Sequence, residues 1–85
     1  MKKFEAHVDV MPLKALLDPQ GKAVMNGLHN LSFKNVQNVR IGKHIYLELE
    51  AKSKKEAEQQ VDEMCKKLLI NPIVEYYQFK VNEKE

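Results

Sequence analysis

Apolar and polar residues alternate from Lys3 to Val10. Phe4, Ala6, Val8 and Val10 fall on one side, and Lys3, Glu5, His7 and Asp9 on the other. A two-residue period is that of a half-buried strand. The alternation stops at "MPLKALLDP". Beyond it Val24, Leu28 and Leu31, with Met25 alongside, recur at helical spacing and make one apolar stripe over Pro19 to about Asn30. Asp18-Pro19 marks the start of this helix. Asp is a strong N-cap that accepts a free backbone N–H, and Pro suits the first helical position because its missing N–H costs nothing there. Leu16 and Leu17 would pin the loop that leads in. Gly21 and Gly27 each weaken the helix by about 1 kcal/mol relative to Ala. A glycine in a first turn is unfavourable unless something approaches closely, so a neighbouring chain or loop is expected over Gly21.

Further along, Val36 to Ile41 reads as a second strand with imperfect alternation. Gly42-Lys43 reads as a tight hairpin turn, with Gly supplying the positive φ such a turn needs. The partner strand is clean, with Ile45, Leu47 and Leu49 on one face and His44, Tyr46, Glu48 and Glu50 on the other. Ser53 and Glu56 form a capping box for a second helix that runs to about Leu69, burying Ala57, Val61, Met64, Cys65 and Leu68. Asn71-Pro72 stops that helix. Ile73 to Val81 is β-branched and aromatic and reads as a final strand, with residues 82–85 as a flexible tail. The sequence therefore predicts one domain over residues 1–81 in the α+β class. The order is ferredoxin-like, βαββαβ, with a four-stranded antiparallel sheet carrying both helices on one face. The first and third strands would be central, and the second and fourth would be edges.

Composition changes this picture little. A chain of 85 residues has a thin core, and association with other chains is a common remedy. A formal charge of +2 is too small to mark a nucleic-acid or anionic-membrane surface. The single cysteine, Cys65, excludes an intrachain disulfide and reads as a small buried apolar residue. No apolar run reaches the length of a membrane span or a signal peptide, so a cytoplasmic location is expected.

The bare face of the sheet offers candidate chemistry. Tyr46 is its one aromatic among four carboxylates, Glu5, Asp9, Glu48 and Glu50, which would repel the phosphates of RNA. A soft-metal carrier of this topology needs paired cysteines after the first strand, and an acylphosphatase-like enzyme needs an arginine there. The chain has neither, its only arginine being Arg40. His7, Asp9 and His44 could form a His/His/carboxylate set, because the first and third strands would lie side by side. The plainer reading is that they are solvated residues of a half-exposed sheet. His29, near the end of the first helix, suits the helix dipole. No catalytic, cofactor-binding or metal-binding residue is assigned on these grounds. Function then moves to edges and loops, and the final strand, with Tyr76, Tyr77 and Phe79, presents more aromatic surface than one core face can absorb.

Three stretches, "LLDPQG", "VRIGKHIYLELE" and "LLINPIVEYYQF", resemble in order the PurS subunit family of phosphoribosylformylglycinamidine synthase. The resemblance covers nearly the whole chain. Two departures stand out. Glycine often follows the leucine at the end of the first helix in that family, where this chain has Ser32, and the pair before the DPQG run is commonly Gly-Val or similar, where this chain has Ala15-Leu16. The resemblance implies a subunit without an active site of its own. It would associate with itself as a homodimer or dimer of dimers, and with the synthetase (PurL) and glutaminase (PurQ) subunits. ATP, Mg and glutamine would be used by the assembly and not bound here. The expected docking residues are Asp18, Pro19, Gln20 and Gly21 at the helix start, and Gly42, Lys43, Asn71, Pro72, Glu75 and Tyr76 at the turns. Two readings compete with this one. One is a regulatory module of the same topology that senses a small ligand, and the other is a small enzyme using His7, Asp9 and His44.

Overall fold

The alternating residues at the N-terminus form strand β1 (Lys2–Pro12), the central strand of the sheet. It pairs antiparallel with β2 (Lys43–Ala51) on one side and β3 (Glu75–Glu83) on the other, in the order β2-β1-β3. Val8 stands opposite Ile45 on β2 and opposite Phe79 on β3, so the apolar sets of all three strands share one face. That face is covered by helix α2 (Lys54–Met64). Phe4, Ala6, Val8, Val10, Ala57, Val61, Cys65 and Val81 are all buried there. The structure, a computed structural model, describes residues 1–14 and 17–84. The expected role of Leu16 lies outside those residues. Among them, no helix is long and apolar enough to cross a membrane.

The four-stranded ferredoxin-like sheet is not what forms. Val36 to Ile41 is not a strand, and the sheet has three. The backbone of this segment is engaged elsewhere. The Ile41 N–H donates to Asp18 Oδ2 at 2.9 Å, and the Val36 carbonyl accepts from His29 Nε2 at 2.8 Å. A segment whose backbone groups are claimed by side chains has fewer left for a ladder. β2, expected to be central, is therefore an edge. Gly42 likewise makes no hairpin turn, and no glycine among the described residues has a positive φ. Its lack of a side chain serves a close approach instead, since a Cβ there would lie 2.3 Å from both Met11 Sδ and the Val10 carbonyl oxygen.

Without that fourth strand, helix α1 (Pro19–Asn30) has no sheet to cross. It lies off the core, and Gly21 is its one buried residue. The radius of gyration is 16.6 Å, against about 12 Å for a compact chain of this length. The molecule measures 52 × 29 × 14 Å, a sheet and helix with an arm. The arm ends in a Schellman motif. Phe33 N–H donates to Leu28 O at 2.9 Å, and Ser32 N–H donates to His29 O at 3.1 Å. Ser32 takes φ 80°, the left-handed conformation that favours glycine.

Helix α2 begins as its capping box predicts, with Ser53 Oγ accepting the Glu56 N–H at 3.2 Å. Its end differs. Residues Cys65–Leu69 form a π-helical turn, in which the Ile70 N–H reaches back to the Cys65 carbonyl at 3.1 Å. The wider turn rotates the last residues. Leu69 packs on the core, and Leu68, expected inside, is 82% exposed. β3 starts at Glu75 and runs to Glu83, two residues past the expected Val81, and Lys84 N–H still donates to Lys3 O at 2.8 Å.

Candidate functional site

Two polar clamps tie the segment that ends at Ile41 to its neighbours, one at the start of α1 and one at the end of β1. Asp18 is one. Its Oδ1 accepts the Gly21 N–H at 2.9 Å, and its Oδ2 accepts the Ile41 N–H at 2.9 Å. Those amide bonds, Gly21's first, hold the Asp18 carboxyl below its ordinary range, and the nearby Arg40 guanidinium adds to the effect. Both oxygens are thus committed to backbone donors, and the carboxylate works as a cap and a tether. Gly21 sits under the tethered segment. A Cβ on it would lie 2.2 Å from the Val39 carbonyl oxygen, so the loop that closes over Gly21 belongs to this same chain.

Arg40 is the second clamp, and sequence reasoning gave it no role. Its Nη2 donates to the carbonyls of Pro12 and Leu13, each at 2.7 Å, and its Nη1 to that of Lys14 at 3.3 Å. A planar fork of fixed donors suits a cluster of carbonyls at the end of a strand. The one available signal was compositional, a single arginine in a chain that otherwise uses lysine.

These clamps frame an open cleft between the start of α1 and one end of the sheet. Asp18, Pro19 and Gln20 line it on one side, Gly42, Lys43 and Glu75 on the other, and Val10, Pro12 and Ile41 lie between. Three stretches distant in sequence thus converge. Lys43 Nζ and Glu75 Oε2 stand 3.8 Å apart along its second side. Glu75 is itself fixed, its Oε1 accepting the Asn71 N–H at 2.8 Å, while Asn71 Oδ1 accepts the Ile73 N–H at 3.1 Å. Asn71, Pro72 and Tyr76 do not line the cleft; Tyr76 stands opposite Met11 in the β1–β3 ladder.

The apolar stripe of α1 continues from the cleft along the arm. Leu17 is 81% exposed, Leu31 69% and Phe33 55%, and Val24 is exposed as well. So large an apolar surface with none of the described residues over it is the mark of an association site. On the other edge, Tyr77 and Phe79 face the core with their rings stacked, and the Tyr77 hydroxyl donates to Asp62. That bond pushes the Tyr77 phenol up to about 12 and holds Asp62 low. Burial pushes the Cys65 thiol up, as expected of a packing residue. His7, Asp9 and His44 are brought together on the open sheet face. Among the described residues, no three His, Cys, Asp or Glu side chains are placed to hold one metal ion.

Comparison with known proteins fits this anatomy. The family model for PurS, phosphoribosylformylglycinamidine (FGAM) synthase, matches residues 5–83. The phosphoribosylformylglycinamidine synthase subunit PurS of Bacillus subtilis is 42% identical over 80 residues, 94% of each chain. The structure of Thermus thermophilus PurS superposes with a TM-score of 0.88 at 33% identity, covering 98% of this chain and 99% of that one. A chain in the structure of PurLQS from Thermotoga maritima gives a TM-score of 0.85 at 36% identity, covering 99% of this chain and all of that one. An arm that leaves its own core, a cap that spends its carboxylate on structure, and this likeness along nearly the whole length agree: the chain belongs to the PurS family of phosphoribosylformylglycinamidine synthase.

Proposed function

We propose that this chain is the non-catalytic small subunit of a cytoplasmic phosphoribosylformylglycinamidine synthase. It docks against a PurL-type synthetase subunit and a PurQ-type glutaminase subunit, and it pairs with a second copy of itself. The observation that carries this reading is the arm. α1 and its flanking residues present Leu17, Val24, Leu31 and Phe33 outward, next to a cleft whose charged groups are tied into structural bonds. The reaction of the assembly explains why such a subunit is needed. Ammonia released from glutamine must reach the ATP-activated formylglycinamide ribonucleotide without protonation or escape, which requires the two catalytic subunits to be held in sealed alignment. A small domain with an outlying arm can touch both. ATP, Mg and glutamine belong to the catalytic subunits in this reading.

Reconstitution tests it. Mixed with the two catalytic subunits, glutamine and Mg-ADP, the chain should co-elute in a larger species and raise glutamine-dependent synthesis. Glutamine-dependent activity that is the same with and without this chain would overturn the assignment.

A further inference from the structure

We propose that the open face of the sheet carries a binding site for a borderline divalent cation of the Cu²⁺, Ni²⁺ or Zn²⁺ class, built on His7 and His44. In the β1–β2 ladder Asp9 stands opposite His44 and His7 opposite Tyr46, so the two imidazoles are diagonal neighbours on the side away from α2. Their facing nitrogens, His7 Nδ1 and His44 Nε2, are 3.3 Å apart. Two nitrogens bound to one tetrahedral cation at about 2.0–2.1 Å each stand about 3.3–3.4 Å from one another. The spacing already present is that of a pair bridged by tetrahedral Zn²⁺, and tetragonal Cu²⁺ or Ni²⁺ would draw the two nitrogens somewhat closer, a shift the solvent-facing rings allow.

The outer nitrogens strengthen the case. His44 Nδ1 lies 2.6 Å from Asp9 Oδ1. A carboxylate only accepts, so Nδ1 carries the hydrogen, and the lone pair of the neutral ring sits on Nε2, facing His7. In the metal-free chain His7 Nδ1 therefore donates to His44 Nε2, and a cation takes the place of that hydrogen as His7 moves it to Nε2, which lies 3.6 Å from Glu5 Oε2. In that second tautomer two lone pairs converge on the space between the rings, where the cation binds. The Asp9 carboxylate hydrogen-bonded behind His44 is the arrangement that orients a metal-binding histidine. The Tyr46 ring meets His7 edge-on, with centroids 5.2 Å apart, and limits its rotation.

The class of ion follows from the donors. Two imidazole nitrogens suit Cu²⁺, Ni²⁺ and Zn²⁺, with Cu²⁺ tightest, and disfavour Mg²⁺ and Ca²⁺, which take oxygen. No third protein ligand is in place among the described residues, so water fills the remaining positions. Both rings are open to solvent, which permits this.

The test uses the full-length chain without an affinity tag. NMR spectra are recorded as Cu²⁺ or Ni²⁺ is added, and calorimetry is run in a non-chelating buffer on the wild type, Asp9→Asn and the His7→Gln/His44→Gln double variant. One cation should bind and broaden the ring signals of His7 and His44 before those of His29. Asp9→Asn should weaken binding about 10–100-fold, the usual loss for an outer carboxylate. The double variant should lose the site while melting, in chelator, at the wild-type temperature. Broadening that begins at His29 or at the N-terminus, wild-type affinity in the double variant, or no binding in millimolar metal would each overturn the proposal. The NMR readout needs no variant, so a folding defect in one would not shield the idea.

Discussion

The two halves of this molecule are stabilised differently. In the sheet half, β1 buries every second residue against α2, and its largest core residue, Phe4, is 2% exposed. In the arm, α1 buries only Gly21, and what holds it is polar: Asp18 at its start, His29 near its end, and Arg40 on the strand end beside it. The first half is a domain core of the ordinary kind. The second keeps its apolar stripe outward, and in the proposed assembly another chain packs on it. Stability and assembly are therefore separable by mutation.

The largest effect is expected from breaking the core. Phe4→Ala should cost about 3–5 kcal/mol, most or all of the stability of so small a domain, and denaturant unfolding would read it directly. Breaking a clamp should act locally. Asp18→Ala leaves the Gly21 and Ile41 amides without their acceptor, and Gly21→Leu forces the Val39 carbonyl away. Either change should collapse hydrogen-exchange protection across α1 while the amides of β1 keep theirs.

A third effect is confined to pH. Tyr77 is raised in the folded chain from 10.0 to about 12, chiefly by its bond to Asp62. A raised value gives a contribution that is complete below the unfolded value and lost as pH climbs through about 12. Asp62 is lowered, so its share is present above the unfolded carboxyl range and lost as acid passes its lowered value. Tyr77→Phe should flatten both limbs in a plot of denaturant midpoint against pH. The smallest effect is a gain. Ser32→Gly should stabilise the arm by about 0.5–1 kcal/mol, because glycine takes the left-handed backbone without the side-chain penalty.

The sheet half was legible in the sequence because its signal is local. A two-residue period in β1 and β2 names the buried side of each strand without reference to anything distant. The arm was half legible. Val24, Leu28 and Leu31 identify a helix and its apolar stripe, but the stripe reads the same whether it faces its own sheet or a second chain. The lost strand failed for a related reason. Val36 to Ile41 has the composition of a strand, and its pairing was decided by Asp18 and His29, which sit well upstream. The π-turn at Cys65 shifts the phase of one helix by a residue, a change no periodicity records. At the cleft, Asp18 and Gly21 were legible as a cap and a close approach. Arg40 was not, because what it binds is backbone, which carries no sequence signature. His7, Asp9 and His44 could be placed together from strand register, but the direction in which each imidazole points its lone pair could not.

The claim that the arm is the assembly surface is tested most directly by Val24→Gln/Leu31→Gln. Both residues are exposed, and Gln is a good helix former, so the melting temperature should hold. Size exclusion with light scattering on the variant, with the two catalytic subunits, glutamine and Mg-ADP, should show a folded chain that no longer joins the complex. A variant that assembles as fully as the wild type would contradict the account.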